Sequence, residues 1–478
     1  MASMQNTLDQ PQIIESLVSC SNSQGQDLQA TLLKLTRFQA TFEVYGPPDT
    51  LRLSEALTDL RILVQSELVY AGRAVVSNLM NMSSVTVCEA TLDETCLDLD
   101  ALCQMGEPQK LLAGFEKFLE EWGRNYRIDP EFKVVMADMQ SMFLDLRLWM
   151  EQLELSVRSQ PGGDRTRFER EILQVLQQPV MPAAAAVVEK FETVANRLEP
   201  ASQPAHRTYM KRQIHPLVLC SPFLYRTFKK PLGYAGDYEM VNMMLRDPFE
   251  GGSMFAKMIN RIFLNTPPVL AHQNRIAYLT RRLADETARV AARGGVLRVY
   301  NLGCGPAKEI QDFISEEMLA DRAQFTLVDF NEETLAYTAK TLGEIKQKRQ
   351  RTTTVQMVRK SVHQLLKEAN RAGTRAKYDL VYCAGLFDYL SDAVCKRLMN
   401  LLYDLTAPGG LLITTNVSTA NPSRNWMEYV LDWHLLHRGA TEFARLAPEL
   451  APAESCSVQA ISAGVNIALE VRKPDHAN

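Results

Sequence analysis

The residues whose types and spacing suit chemistry lie in the last third of the chain. An apolar run, Val299-Tyr300-Asn301-Leu302, breaks into Gly303-Cys304-Gly305-Pro306-Ala307, and Lys308-Glu309-Ile310 open a helix-like stretch. Glycine lacks a Cβ and tolerates positive φ, so such a turn brings bare backbone close to a ligand. About two dozen residues later Asp329 closes a second apolar run, with Phe330 next to it. A carboxylate there can accept both hydroxyl protons of a ribose, and the adjacent ring can lie against a nucleobase. Asp329 can also cap a helix opening at Glu332 and Glu333; its distance from the glycine turn favours the ribose. Ser361, in Arg359-Lys360-Ser361-Val362, suits either the edge of a base or a helix start. Cys383-Ala384-Gly385, ending Tyr378-Asp379-Leu380-Val381-Tyr382, should line the reaction centre. The candidate cofactor-binding residues are therefore Asn301, Gly303, Cys304, Gly305, Asp329, Phe330, Ser361, Cys383, Ala384 and Gly385.

These positions need a scaffold, and 296–478 reads as one. Strand-like runs at Leu297–Leu302, Phe325–Asp329, Val355–Val358, Tyr378–Cys383 and Leu411–Asn416 alternate with helical stretches, the pattern of a doubly wound parallel sheet. Pro408-Gly409-Gly410 reads as the turn feeding the last of these. Ser457–Ser462 and Val465–Val471 have only Ala463-Gly464 between them, which requires an antiparallel hairpin. Ligands bind such sheets at the carboxyl ends of the strands, where strand order reverses. A dinucleotide fingerprint would place a third glycine at 308, where this chain has lysine, so NAD and FAD are disfavoured. A parallel sheet ended by an antiparallel hairpin is the variant of the Rossmann layout that carries S-adenosylmethionine (SAM), and SAM is the expected cofactor.

Upstream, the chain divides by pattern into a helical or flexible segment (1–31), a small β-barrel (32–105), a helical linker domain (106–200) and a helical cap or lid on the cofactor site (201–295). Phe38, Ala40, Phe42 and Val44 alternate with polar residues ahead of Gly46-Pro47-Pro48-Asp49, and Leu60–Val64, Ala74–Val76 and Val85–Cys88 are further strands. Phe115, Leu119 and Trp122, then Met142, Leu146 and Trp149, recur at helical steps and are expected in a core. Pro161-Gly162-Gly163-Asp164 breaks that region. Gly233-Tyr234-Ala235-Gly236-Asp237-Tyr238 interrupts helical sequence as a functional loop would, so Tyr234, Asp237 and Tyr238 are expected to close the pocket.

A net charge of -4 argues against broad phosphate-backbone binding, so no nucleic-acid partner is expected. No apolar run is long enough to span a bilayer, and the first residues lack a signal-peptide pattern. The nine cysteines are scattered singly, as reduced, mostly buried thiols would be, and no histidine lies at metal-ligand spacing near them. A cytoplasmic protein without metal or stable membrane insertion is expected, and assembly as a homodimer is compatible with this reading.

With these residues placed, 296–478 resembles the class I SAM-dependent methyltransferases. Lys230-Pro231-Leu232-Gly233-Tyr234-Ala235-Gly236-Asp237-Tyr238, Gly385-Leu386-Phe387-Asp388-Tyr389-Leu390, Asn421-Pro422-Ser423-Arg424 and Leu431–Arg438 are similar to bacterial methyltransferases grouped with the 3-hydroxypalmitic acid methyl ester biosynthesis enzymes. This resemblance runs from Pro216 to Lys473. It implies methylation of a small-molecule acceptor, such as the carboxylate of a hydroxy fatty acid, to a methyl ester. Tyr389 and His434 are then candidates for a base, Arg438 for a partner of the acceptor's carboxylate, and Trp426, Met427, Tyr429 and Trp433 for an apolar wall. The barrel resembles a degenerate PilZ-like domain. It offers Arg37 alone and Asn81-Met82-Ser83-Ser84 in place of that family's binding turn, so no nucleotide is expected there. Methylation of a protein or peptide, and a non-catalytic SAM-binding regulator or scaffold, are the alternatives.

Overall fold

Period-two alternation builds the first of two units, Met1–Thr50 with Glu55–Leu119. The computed structural model describes residues 16–45, 50–64, 67–82, 85–93, 112, 115–116, 119–120, 122–123, 127–159, 164–369, 376–462 and 464–475. Six antiparallel strands, β1 (Ser16–Ser21), β2 (Asp27–Leu35), β3 (Gln39–Tyr45), β4 (Ala56–Val64), β5 (Glu67–Met82) and β6 (Val85–Leu92), close into a barrel in the order β1-β2-β3-β6-β5-β4. On β3, Ala40, Phe42 and Val44 point inward and the residues between them do not. The stretch expected to be helical or flexible thus holds β1 and the start of β2. Val18 and Cys20 turn inward there, but three serines in six residues hide the alternation from the sequence. The Gly46–Asp49 turn and Ser83-Ser84 lie outside the described residues.

The second unit is Leu51–Ser54 with Glu120–Asn478. Its sheet joins β7 (Leu297–Leu302), β8 (Ala323–Asp329), β9 (Thr354–Arg359), β10 (Tyr378–Cys383), β11 (Thr406–Val417), β12 (Cys456–Ile461) and β13 (Asn466–Arg472) in the order β12-β13-β11-β10-β7-β8-β9. β7 to β11 are parallel, and β13 runs antiparallel to β11 and β12. This is the expected parallel sheet with a terminal hairpin. β11 starts at Thr406 rather than Leu411: Pro408-Gly409-Gly410, read as a turn, is an irregularity within the strand, with a register shift opposite it on β10.

Apolar side chains of alternating parity leave both sheet faces and meet helices on each side. On one face Leu297, Val299, Leu380 and Leu411 pack against α7 (Pro267–Ala291), α8 (Lys308–Glu316) and α9 (Glu332–Arg349). On the other Leu302, Val381, Cys383 and Leu412 pack against α10 (Val362–Ala369), α11 (Asp392–Leu405) and α13 (Ala440–Ala444). A second core joins α1 (Pro130–Arg158), α2 (Arg165–Ala195), α3 (Gln203–Val218), α4 (Pro222–Lys229), α5 (Tyr238–Leu245), α6 (Met254–Phe263) and α12 (Arg424–Leu431). The helices on either side of residue 200 therefore share one apolar interior. α1 buries Phe132, Val135, Met136, Met139 and Phe143, a stripe that leaves Trp149 72% exposed. Phe115, Leu119 and Trp122 are exposed as well, so those aromatics are not core. Pro161–Gly163 lie outside the described residues, between the end of α1 and the start of α2.

Candidate functional site

The strand order reverses at β7, which lies between β8 and β10, and the carboxyl ends of these strands open on a cavity. The Gly303–Ala307 turn forms its floor. Gly303, Gly305 and Ala307 have φ of 69°, 51° and 51°. Two amides of the turn, those of Gly303 and Cys304, donate to the Val328 carbonyl at 2.8 and 3.2 Å, tying the turn to β8. α8 then begins at Lys308, whose ammonium pairs with Asp312 at 2.5 Å along its own helix.

Asp329, at the end of β8, lines the cavity and is 7% exposed. Its Oδ2 accepts from the Gly305 amide at 3.2 Å and its Oδ1 from the Asn331 amide at 3.0 Å. Burial holds this carboxyl above its ordinary pKa, opposed by these amides and by the charge of Arg52. Each oxygen keeps a lone pair. The helix-cap alternative falls to Asn331, whose side chain accepts from the Thr334 amide ahead of α9. Phe330 lies beside Asp329 under the Tyr234 ring (centroids 5.1 Å apart) and the Arg52 guanidinium (4.5 Å from the ring centroid). A carboxylate with spare acceptor capacity, an aromatic face and a glycine backbone lining the cavity fit the adenosine of SAM. Asn301, Cys304, Ala384 and Gly385 also line the cavity. Ser361 lines it as well, and it exchanges bonds with Gln364 as a helix start does.

Several expected residues are elsewhere. Cys383 is fully buried beneath the sheet and does not line the cavity; the period of two hands that position to Tyr382, whose hydroxyl donates to Glu309 at 2.8 Å. Asp237 caps α5 by accepting from the Met240 amide at 2.8 Å, and Arg226 pairs with it at 2.9 Å. Its carboxylate is structural, as an Asp ahead of a helix usually is. His434 lies outside the cavity beside Glu428; burial and then the Arg207 charge lower its pKa to about 3, which leaves no useful base. Arg438 is also outside. Its five N–H donors go to Asp392 (twice), Asn416 and the carbonyls of Phe387 and Leu390, at 2.7 to 2.9 Å, so none remains for an acceptor. Of the expected wall, Met427 and Trp433 line the cavity, while Trp426 and Tyr429 belong to the helical core, where Trp426 stacks on Phe263.

Tyr234, Tyr238 and Tyr389 do line the cavity. The Tyr238 hydroxyl donates to Glu333 at 2.7 Å, and burial with that carboxylate raises its pKa to about 12. Tyr389 accepts from Trp433 Nε1 at 2.8 Å, and burial pushes its hydroxyl well up. The cavity also holds residues the sequence did not single out: Arg52, His272, Arg275, Glu309 and Asp388. Arg52 belongs to the Leu51–Ser54 segment, far away in sequence, whose Ser54 Oγ donates to the His434 carbonyl at 2.8 Å. The only sequence signal for His272 and Arg275 is their spacing of three on α7, and Arg281, Arg282 and Arg289 on the same helix obscure it.

No protein-family model and no curated protein matches the chain. Among solved structures it is similar to a possible exported protein from Bordetella parapertussis, at 18% identity and TM-score 0.40, over 52% of this chain and 86% of that one. It is similar to magnesium protoporphyrin IX methyltransferase from Synechocystis PCC 6803 with bound S-adenosylhomocysteine (SAH), at 14% and 0.31, over 43% and 84%. It is also similar to the N-methyltransferase NodS from Bradyrhizobium japonicum WM9 in complex with SAH, at 15% and 0.30, over 52% and 99%. Likeness at this level carries no argument about chemistry, which rests on the site itself.

Proposed function

We propose that the chain is a SAM-dependent methyltransferase acting on a small-molecule acceptor, and that the acceptor is the carboxylate of a hydroxy fatty acid. The observation that carries the first part is Asp329: a buried carboxylate at the strand-order reversal, bonded to the glycine turn, with acceptor capacity left for two hydroxyls. SAM supplies a methyl group on a sulfonium, transferred by in-line displacement. Asp329 and Phe330 hold the nucleoside, and the Gly303–Gly305 backbone permits close approach. Tyr234, Met427 and Trp433 wall the cavity and exclude water, which favours alignment of nucleophile and methyl.

Neither of the two bases expected from the sequence is poised, which supports the second part. His434 is outside the cavity and nearly incapable of accepting a proton, and Tyr389 keeps its proton at neutral pH. A carboxylic acid with a pKa of about 4 to 5 is already ionised there and needs no base. Calorimetric titration with SAM, SAH and NAD tests the cofactor: both SAM compounds should bind, and NAD binding with no response to either sinks the reading. A mass-spectrometric screen with a labelled methyl donor tests the acceptor. Label should appear in the methyl ester of 3-hydroxypalmitic acid; label only in proteins would rule that acceptor out.

A further inference from the structure

The cavity contains a cation that, among the described residues, has no carboxylate in ion-pair contact. His272 and Arg275 stand three residues apart on α7, a spacing that places both on one face of the helix, and both line the cavity. Arg275 Nη2 is 2.9 Å from His272 Nδ1. A guanidinium has no acceptor, so Arg275 donates and Nδ1 accepts. The neutral ring then carries its proton on Nε2, which makes it a second donor. Burial, followed by the charge of Arg275, holds His272 well below its ordinary pKa and keeps it in this form.

The guanidinium lies against the backbone of Gly385, just past the end of β10. A Cβ at 385 would sit 2.9 Å from Nη2 and 3.1 Å from Nη1, and φ there is +80°. Glycine therefore lets the cation reach the strand end that borders the reaction centre. Among the described residues no carboxylate lies within the 4.0 Å of an ion pair with Arg275. The two acids that act on it through space are engaged elsewhere: Asp388 Oδ1 accepts from the Val417 amide at 2.5 Å, and Glu309 Oε1 accepts from Tyr382 and Asn301. Arg275 is half-buried; partial burial of a charge without an ion-pair partner is costly, and an anionic ligand would relieve that cost. The planar fork of arginine matches a carboxylate by two parallel hydrogen bonds.

We infer that Arg275, with His272 beside it, forms a carboxylate-binding subsite of the cavity. Two sources supply that chemistry: the amino-acid tail of SAM and the acid group of the acceptor. The inference rests on the methyltransferase reading and says which residues of that site recognise an acid.

The test titrates wild type, Arg275→Gln and Arg275→Lys with SAH and with methylthioadenosine, which has the same nucleoside and no amino-acid tail. It then titrates 3-hydroxypalmitate and its methyl ester in the presence of SAH. If the cofactor's tail is the ligand, Arg275→Gln weakens SAH roughly tenfold or more, spares methylthioadenosine, and Arg275→Lys recovers part of the loss. If the acceptor's acid is the ligand, SAH affinity holds, the free acid weakens by a similar factor, and the ester does not change. Either pattern supports the subsite. Unchanged affinities in both arms overturn it, as does an equal loss for SAH and methylthioadenosine, which marks a purely structural role. Wild type that binds neither SAM nor SAH removes the methyltransferase reading and this inference together; intact wild-type binding with no Arg275 effect removes this inference alone.

Discussion

Arg438 and Arg275 carry the same charge and differ in what surrounds it. Arg438 spends all five donors on protein acceptors. Arg438→Ala should therefore cost about 2–4 kcal/mol of stability, because the Phe387 and Leu390 carbonyls and Asn416 lose their buried donor. SAH affinity of the folded fraction should remain; denaturant unfolding paired with calorimetry checks both. Asp329 predicts the reverse. Its carboxylate is desolvated and held above its ordinary pKa, so the folded state gains little from its charge at neutral pH. Asp329→Asn should leave the melting temperature unchanged or higher while weakening SAH about tenfold, roughly 1.4 kcal/mol. Equal affinity in the variant would mean that Asp329 does not hold the ribose. The sequence made Asp329 legible because spacing from a glycine turn is a local signal. Arg438 was misread because its four partners, Phe387, Leu390, Asp392 and Asn416, lie more than 20 residues away in the chain.

At the scale of elements, backbone conformation decides what the strand ends can hold. Gly385 combines φ of +80° with a guanidinium where a Cβ would go. Gly385→Ala should cost about 1–2 kcal/mol for the left-handed backbone alone and should displace Arg275, so SAH or acid binding falls with stability; thermal melts and the same titrations read both. β7 and β10 were legible to their ends because each is a short apolar run between turn residues. β11 was not, since Gly409 with φ of +68° lets the chain pair on through a Pro-Gly-Gly run. Asp237 shows the same limit: a helix cap and an active-site acid have the same sequence signature, and only the Arg226 contact tells them apart.

At the scale of the molecule, the second unit keeps several histidines neutral in its interior. Burial pushes the pKa of His434 down to about 3 and that of His437 down to about 4. Their folded pKa values lie below the unfolded value of about 6.5, so the unfolded chain takes up protons first and stability is lost as pH falls below it. The buried carboxyls Asp329, Glu309 and Asp388 are raised and act with the opposite sign. Comparing His434→Phe with wild type isolates the histidine: between pH 6 and 4 the variant should lose less stability, by up to about 1.4 kcal/mol per pH unit. Parallel acid limbs in denaturant melts would contradict this. Arg52 and Ser54 also belong to this scale, since they join a unit whose remaining residues begin at Glu120. A chain starting at Glu120 should bind SAH more weakly than the full chain, having lost the cation over Phe330 and the Ser54 bond to His434; titration of both chains decides. By itself the sequence determined the alternating sheet, its terminal hairpin, the glycine turn and the acid at the next strand end. These depend on periodicity and turn chemistry within a few residues. Only the tertiary structure decided which charged side chains face the cavity, because Arg52, Arg275 and Arg438 are told apart by partners distant in the chain, and burial sets what each charge can do.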